Sequence, residues 1–348
     1  MHRRIPNIAA IVLALTCCAP LAGAQAKKKP LPKPPVKSAA PPVKGTAQLP
    51  GDNGKIDQAY TMGIEQQLNF TLRSAEYTLG RLIVGTTSYA PSKAQKLLLL
   101  NFTVQNPNKA DTTCRFDTFK LMAVDSQDVN HEGVGEVVKQ NESQQALDIA
   151  LKPGQKVEVQ SAILLPAEAS APKLMVQHRS GGKVLRYDLH GLIKLLPAPF
   201  ADPSDKSGIK AREDVPGNPD VFYPLESFDL KLLSATLTSE KLGENAPGDG
   251  KQYLVATLTL RNGTRSKQNY RFDTLHARLL TPDGEKEEHP QNVLLKTSRN
   301  EDADSTLEFG ESYTCRLVVE VSKEIKRAKL ALWQGESHAY LFDIGDSK

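Results

Sequence analysis

A chain of 348 residues is long enough for two or three domains of ordinary size, and its 39% hydrophobic and 24% charged residues are those of a globular protein. The net charge of +4 is unevenly held: Arg3, Arg4 and six lysines between Lys27 and Lys44 lie in the first 44 residues, which contain no acidic residue, so the remainder is net negative. A nucleic-acid binder carries its basic patch on the folded surface, so this distribution argues against DNA or RNA as the partner. No run of about 20 apolar residues follows the N-terminal segment, so nothing there has the pattern of a spanning helix.

Residues 1–26 have the anatomy of a signal peptide: basic Arg3 and Arg4, an apolar stretch from Ile8 to Leu21, then Ala22-Gly23-Ala24 with Ala26 close behind. Small residues at those positions suit cleavage after Ala24 or Ala26. A second reading takes Leu15-Thr16-Cys17-Cys18 as a degenerate lipobox with Cys18 acylated. Either way the chain is expected to be exported, to the periplasm, the cell surface or beyond. Residues 27–52 follow as a Lys/Pro-rich tether. Proline favours extended polyproline II and the lysines repel one another, giving a disordered reach of roughly 3 Å per residue. The tether is either a passive spacer or a contact to an anionic surface through Lys27, Lys28, Lys29, Lys33, Lys37 and Lys44. Near such a surface each lysine contributes on the order of 1 kcal/mol.

The rest of the chain contains an internal repeat. Cys114-Arg115-Phe116-Asp117-Thr118 recurs as Tyr270-Arg271-Phe272-Asp273-Thr274, an offset of 156. The same offset relates Leu97–Val104 and Gln105-Asn106-Pro107 to Tyr253–Leu260 and Arg261-Asn262-Gly263. Leu151-Lys152-Pro153-Gly154 matches Leu307-Glu308-Phe309-Gly310, and Lys173–Val176 matches Lys329–Leu332. Period-2 alternation in Tyr253–Leu260 and Tyr313–Val321, punctuated by Asn-Pro, Asn-Gly and Pro-Gly pairs, predicts short strands in two-sheet sandwiches. The fold class expected is all-β, with two tandem immunoglobulin-like β-sandwich domains at 66–191 and 226–345. Residues 192–225, rich in Pro, Asp and Gly, are expected to link them.

The order of these motifs carries a family resemblance. An alternating strand leads to an Asn-centred turn, a Phe-Asp or Phe-Lys-Leu strand, a Pro-Gly or Phe-Gly turn and a Val-rich strand. Leu165-Pro166-Ala167-Glu168 or Val321-Ser322-Lys323-Glu324 then precedes a Lys-Leu strand. This resembles the telokin-like immunoglobulin domain of bacterial exported proteins, the DUF4352 family, over residues 66–191 and 226–345. The resemblance implies the fold and brings no catalytic residue with it. The first copy departs from the second by having Asn130-His131-Glu132-Gly133 near where the other has Pro282-Asp283-Gly284.

The residues offer little chemistry. No His-x-His, His-Glu-x-x-His or Gly-x-Ser-x-Gly motif occurs, and no metal or cofactor is expected. The spacing of Cys114 and Cys315 suggests free thiols, with Cys315 on an apolar strand face. In a strand, Arg115 and Asp117, like Arg271 and Asp273, would share one face and their Phe would point into the core. The polar pair is then a surface ion pair or a repeated ligand contact. Trp333, Phe222 and Tyr223 would form an exposed aromatic patch or pack the domains together; such residues are enriched at binding hot spots. The expected function is a non-enzymatic envelope protein acting as a binding or structural module, with an envelope protein or polymer as partner. The alternative is a weak hydrolase or metal-dependent enzyme in the inter-domain groove, where His178, His190 or His338 would meet carboxylates.

Overall fold

The computed structural model describes residues 51–138, 146–282, 284, 286–289 and 293–345. The expected signal peptide, Cys17, Cys18 and the six tether lysines lie outside the described residues. The chain from Gln48 to Lys348 forms one compact unit, all-β among the described residues. Its first half runs through β1 (Gly51–Gly54), β2 (Tyr60–Met62), β3 (Leu68–Thr78), β4 (Leu82–Val84), β5 (Thr87–Tyr89), β6 (Gln95–Gln105) and β7 (Thr112–Arg115). It continues through β8 (Phe119–Val124), β9 (Asn130–Val138), β10 (Asp148–Leu151), β11 (Lys156–Pro166), β12 (Lys173–His178), β13 (Val184–Asp188) and β14 (Ile193–Lys194). The second half holds β15 (Asp214–Pro216), β16 (Tyr223–Pro224), β17 (Phe228–Thr238), β18 (Lys251–Asn262), β19 (Gln268–Tyr270) and β20 (His276–Leu280). It ends with β21 (Lys286–His289), β22 (Val293–Lys296), β23 (Ser305–Leu307), β24 (Ser312–Ser322), β25 (Arg327–Trp333) and β26 (Ala339–Gly345).

In the second half, two five-stranded sheets, β15-β26-β25-β20-β21 and β16-β17-β18-β24-β22, share no hydrogen-bonded strand pair among the described residues. In the first half the corresponding sheets are joined, because β9 pairs with β8 through Asn130–Glu132 and then with β11 through Gly133–Val138. Alternating apolar residues from the two layers meet inside. Phe70 of β3 and Phe102 of β6 face Phe119 of β8 at ring separations of 5.2 and 6.3 Å. In the second half Tyr223 stacks on Tyr340 at 4.5 Å.

The hydrogen bonding of one half recurs in the other. Strand β3 bulges against β6 between Leu72 and Ser74, and β17 bulges against β18 between Leu232 and Ser234. The short strands β1 and β15 each add in parallel to the edge, on β13 and β26. At the end of β6 the fully buried Asn106 donates its amide to Ala110 O and Leu151 O at 2.8 and 2.7 Å. Its Oδ1 accepts from Asn108 N–H and Thr112 Oγ1. Asn262 does the same with Ser266 O, Leu307 O, and the N–H and hydroxyl of Thr264. Each asparagine also braces the turn before the next long strand. Gly154 and Gly310 donate backbone N–H groups to Asn106 O and Asn262 O, from φ values of 73° and 74° that glycine adopts without strain.

Residues 192–225, expected to be a linker, are structured. They contain β14, β15 and β16, and Val215 and Tyr223 are buried. The wholly buried Lys96 of β6 anchors this segment by donating to Ala167 O, at 2.8 Å, and to Ile209 O, with its ammonium over the Tyr77 ring. Burial lowers its pKa to about 8. Its counterpart in the second half is the neutral Gln252, which donates to Ser322 O and Ile325 O. The halves meet through Arg81, which donates to Ser227 O and Phe228 O and pairs with Asp229. A backbone bond runs from Lys93 N–H to Glu336 O, and the buried His338 ring sits 2.9 Å from Gln95 O and 2.7 Å from Arg212 O.

Two outcomes follow from these buried polar groups. Asn106→Ala should lower the unfolding free energy, read by urea denaturation, by on the order of 2–5 kcal/mol, because it strands two carbonyls and two donors. Lys96 gives up its proton in the folded state before the unfolded one, so its contribution to stability rises between pH 8 and 10.5, by up to about 3 kcal/mol. Comparing wild type with Lys96→Gln across that range isolates this rise from the opposing ionisation of tyrosines in the unfolded chain.

Candidate functional site

The crossing strand β9 decides where an open cavity forms. Its sequence Gly133-Val134-Gly135-Glu136 carries it from one sheet to the other, with Gly135 at φ 115° and a register shift opposite Ser161–Ile163. Glycine is needed at that φ. At Gly133 a Cβ would stand 3.1 Å from the Leu121 Cβ and 3.6 Å from Ser161 Oγ, so a side chain there would intrude on the space. The result is a cavity of about 550 Å³ at one end of the sandwich, between β8, β9, β11 and the end of β12. Phe116, Phe119, Leu121 and Val134 supply apolar walls, and Glu136, Ser161 and His178 lie beneath them with their unpartnered polar atoms closed to solvent.

Those three polar side chains are buried, Glu136 to 1% exposure and Ser161 to 0%. Among the described residues both Glu136 carboxyl oxygens, Ser161 Oγ and His178 Nε2 are without a hydrogen-bond partner. Glu136 and Ser161 are directly paired across β9 and β11 and therefore share the inward face. Burial pushes the Glu136 carboxyl well above the ordinary carboxylate range, which favours its neutral form; the Phe119 backbone N–H opposes this in part from outside hydrogen-bond geometry. His178 Nδ1 accepts from the Ser180 backbone N–H at 3.1 Å, and burial disfavours the imidazolium. His178 Nδ1 also lies 2.8 Å from the Ser180 hydroxyl.

The second half has the same backbone pairing and different side chains. Leu294 of β22 pairs with Leu317 of β24, where Glu136 pairs with Ser161, and both leucines are buried. The fold thus accepts an apolar pair at these positions. The rim of the first-half cavity carries paired charges: Lys120 with Glu132 at 2.8 Å, and Arg179 with Asp117.

The residues singled out from sequence are dispersed. Arg-Phe-Asp-Thr is a turn from its Phe onward, with Arg115 the last residue of β7. Thr118 Oγ1 accepts from Arg115 N–H and Thr274 Oγ1 from Arg271 N–H, both at 2.7 Å, which closes each turn and leaves Phe116 and Phe272 exposed instead of in the core. Asp117 lines the cavity and pairs with Arg179 rather than with Arg115, which lines a smaller neighbouring cavity of about 420 Å³. Arg271 and Asp273 do pair, at 2.7 Å. Tyr223 is a core residue, and Phe222 lies against Arg261 and Lys231. Trp333 stacks on His276 within the second half. The ring contacts of these three among the described residues are with Lys231, Arg261, His276, Arg278, Tyr340 and Phe342. Cys114 and Cys315 are free and buried, and burial, with the Glu136 carboxyl near Cys114, raises both thiols to about 12. His178 is in the cavity, while His190 pairs with Asp188 on the surface and His338 lies at the joint between halves. Among the described residues no three His, Cys, Asp or Glu side chains come together as a metal site.

Sequence reasoning did not reach Glu136 or Ser161. The signal was an acid inside the apolar run Val134–Val138, next to the Asn130–Gly133 departure between the halves. The raised Glu136 pKa has a measurable sign: the folded state holds this proton longer than the unfolded state. The stabilising contribution is complete below about pH 4.5 and is lost as pH rises above it. Urea unfolding of wild type and Glu136→Gln between pH 4.5 and 8 should show the variant gaining on wild type as pH increases.

Residues 226–339 match the family model described as Domain of unknown function (DUF4352); the match lies on the half without the Glu–Ser pair and does not extend over 66–191. Among curated proteins none matches the chain. An uncharacterized β-sandwich protein from Clostridium difficile 630 is similar at 14% identity over 42% of this chain and 99% of its own, with TM-score 0.33. The secreted protein MPT63 of Mycobacterium tuberculosis is similar at 14% identity over 40% of this chain and 97% of its own, with TM-score 0.30. A Bacteroides uniformis β-glucuronidase aligns with 82% of this chain and 32% of its own at 9% identity, with TM-score 0.18.

Proposed function

We propose that the chain is an exported, non-enzymatic binding module made of two tandem immunoglobulin-like sandwiches, at 66–191 and 226–345, of which the first captures a small ligand in the β9 cavity. The equivalent bulges, parallel edge strands and buried asparagines support the duplication. The signal anatomy of residues 1–26 and the Lys/Pro-rich segment after it support export and an envelope setting.

The observation that carries the binding role is the replacement of Leu294 and Leu317 by Glu136 and Ser161. Leaving buried polar groups without partners costs about 1–3 kcal/mol each, and the second half shows that the fold does not require them. A destabilising pair in a cavity is what a ligand site needs and a structural core does not. The chemistry favours binding over hydrolysis. A Ser–His pair needs a lone pair on the nitrogen facing the serine and an N–H on the other. His178 Nε2 and Ser161 Oγ form no hydrogen bond with each other, and the Nδ1 side of the ring is occupied by Ser180 rather than by a carboxylate.

The double variant Glu136→Leu/Ser161→Leu tests this reading by reproducing the second half's pair. It should unfold at higher temperature and gain on the order of 1–4 kcal/mol in urea titrations. A loss of stability would make the pair part of the structural core and remove the argument for a binding role.

A further inference from the structure

Strands β3 and β17 hold equivalent places in the two halves, and their outer edges differ. In the first half β14 lies along β3, pairing Ile193 with Ala75 and Lys194 with Glu76, and the Lys194 ammonium meets the Glu76 carboxylate at 3.4 Å. Under that cover Ala75 and Tyr77 are buried to 1% and 3% exposure. Aligned on the bulges at Leu72/Ser74 and Leu232/Ser234, the same places on β17 are Ala235, Thr236 and Leu237. There β16 covers only Asp229 and Leu230, and Leu232 O accepts from Asp220 N–H. Beyond Leu232 no backbone group among the described residues bonds the outer edge of β17. Ala235 and Leu237 are accordingly only partly buried against the core, and Ser234 and Thr236 are exposed.

An open strand edge is ordinarily blunted by charge or proline, because its free N–H and C=O groups accept another extended chain. Leu232–Ser239 carries neither. The order Ser234-Ala235-Thr236-Leu237-Thr238 has the same polar and apolar pattern read from either end. A copy of this strand running antiparallel about Thr236 sets Ala235 opposite Leu237, Ser234 opposite Thr238 and Thr236 opposite its own counterpart, with the apolar pairs on the core face. Charge selects the occupant. The β3 edge is matched to a basic strand through Glu76 and Lys194, whereas the uncharged β17 edge matches an uncharged strand, which a second β17 supplies. We infer that two copies of the chain form a two-fold dimer in which their β17 strands pair antiparallel over Ser234–Thr238, making one sheet of two.

A ladder this short is a small interface, so the dimer should dissociate with a constant on the order of 10–100 µM. Sedimentation equilibrium of the chain from Lys27 onward, at loadings of about 5–200 µM, brackets that range. Amide exchange within residues 234–238 should slow as concentration rises. Thr236→Lys sets like charges across the two-fold axis and should weaken association at least about tenfold, with the thermal midpoint at low concentration unchanged because the side chain is exposed. Thr236→Glu, the first half's residue, should do the same by itself, and an equimolar mixture of the two variants should associate at least as tightly as wild type. Wild type that stays monomeric at the highest loading overturns the inference; a peptide of residues 190–197, which contains β14, that then shifts the Ser234–Thr238 amide resonances would assign the edge to a strand of another polypeptide. A dimer that Thr236→Lys leaves intact puts the contact elsewhere and overturns it as well, as does a mixture of the two variants that remains monomeric.

Discussion

The side-chain amides of Asn106 and Asn262 are the fixed points of the two halves. Each lies where a long central strand ends and the chain must turn within the protein, out of reach of water. Backbone carbonyls and N–H groups released there need partners, and one planar amide supplies two donors and an acceptor for several of them. The asparagine backbone meanwhile fixes the turn that starts β11 or β24. Strand register in the central pairs is therefore set from one end, and the alternation of apolar residues then fills the interior. Equivalent bulges at Leu72/Ser74 and Leu232/Ser234 show that both halves solve the same geometric problem in the same way.

Against that shared frame, the differences between halves carry the functional content. The second half carries β21 and β22 in the corresponding segment and fills the interior with Leu294 and Leu317. The first half keeps one continuous strand, β9, bends it at Gly135 and places Glu136 and Ser161 where the leucines would be. An opening between the sheets and a set of polar groups facing it arise from the same few residues. Elsewhere the buried side chains of Asn106, Lys96 and His338 have partners.

The halves are held by specific polar contacts beside a continuous apolar core. Arg81 reaches from the first half to the Ser227 and Phe228 carbonyls and to Asp229, which also holds Arg261. Lys96 ties the connecting segment to β6 through Ile209. A buried ammonium satisfied by carbonyls and a ring face is less favourable than the neutral amide of Gln252 at the equivalent place. Removing it would also strand the carbonyls it serves. Residues 192–225 thus belong to the folded body and do not act as a free hinge.

The strand alternation, the asparagine and glycine turns, and the inward face of Cys315 were legible from residue order, because each depends on a residue's own backbone and nearest chain neighbours. The Arg-Phe-Asp-Thr motif misled because the hydroxyls of Thr118 and Thr274 compete for a backbone N–H and turn the chain, exposing a Phe that alternation would bury. Tyr223 was hidden among turn-forming residues, and only the pairing of β16 with β17 brings it under Tyr340. Sequence by itself therefore determined an all-β chain with a repeated strand-and-turn order. The tertiary structure alone decided that Glu136, Ser161 and His178 share one cavity and that Lys96 anchors the connecting segment. Such neighbours come from different strands across two sheets, and a one-residue bulge, as at Gly135, changes which face each side chain takes.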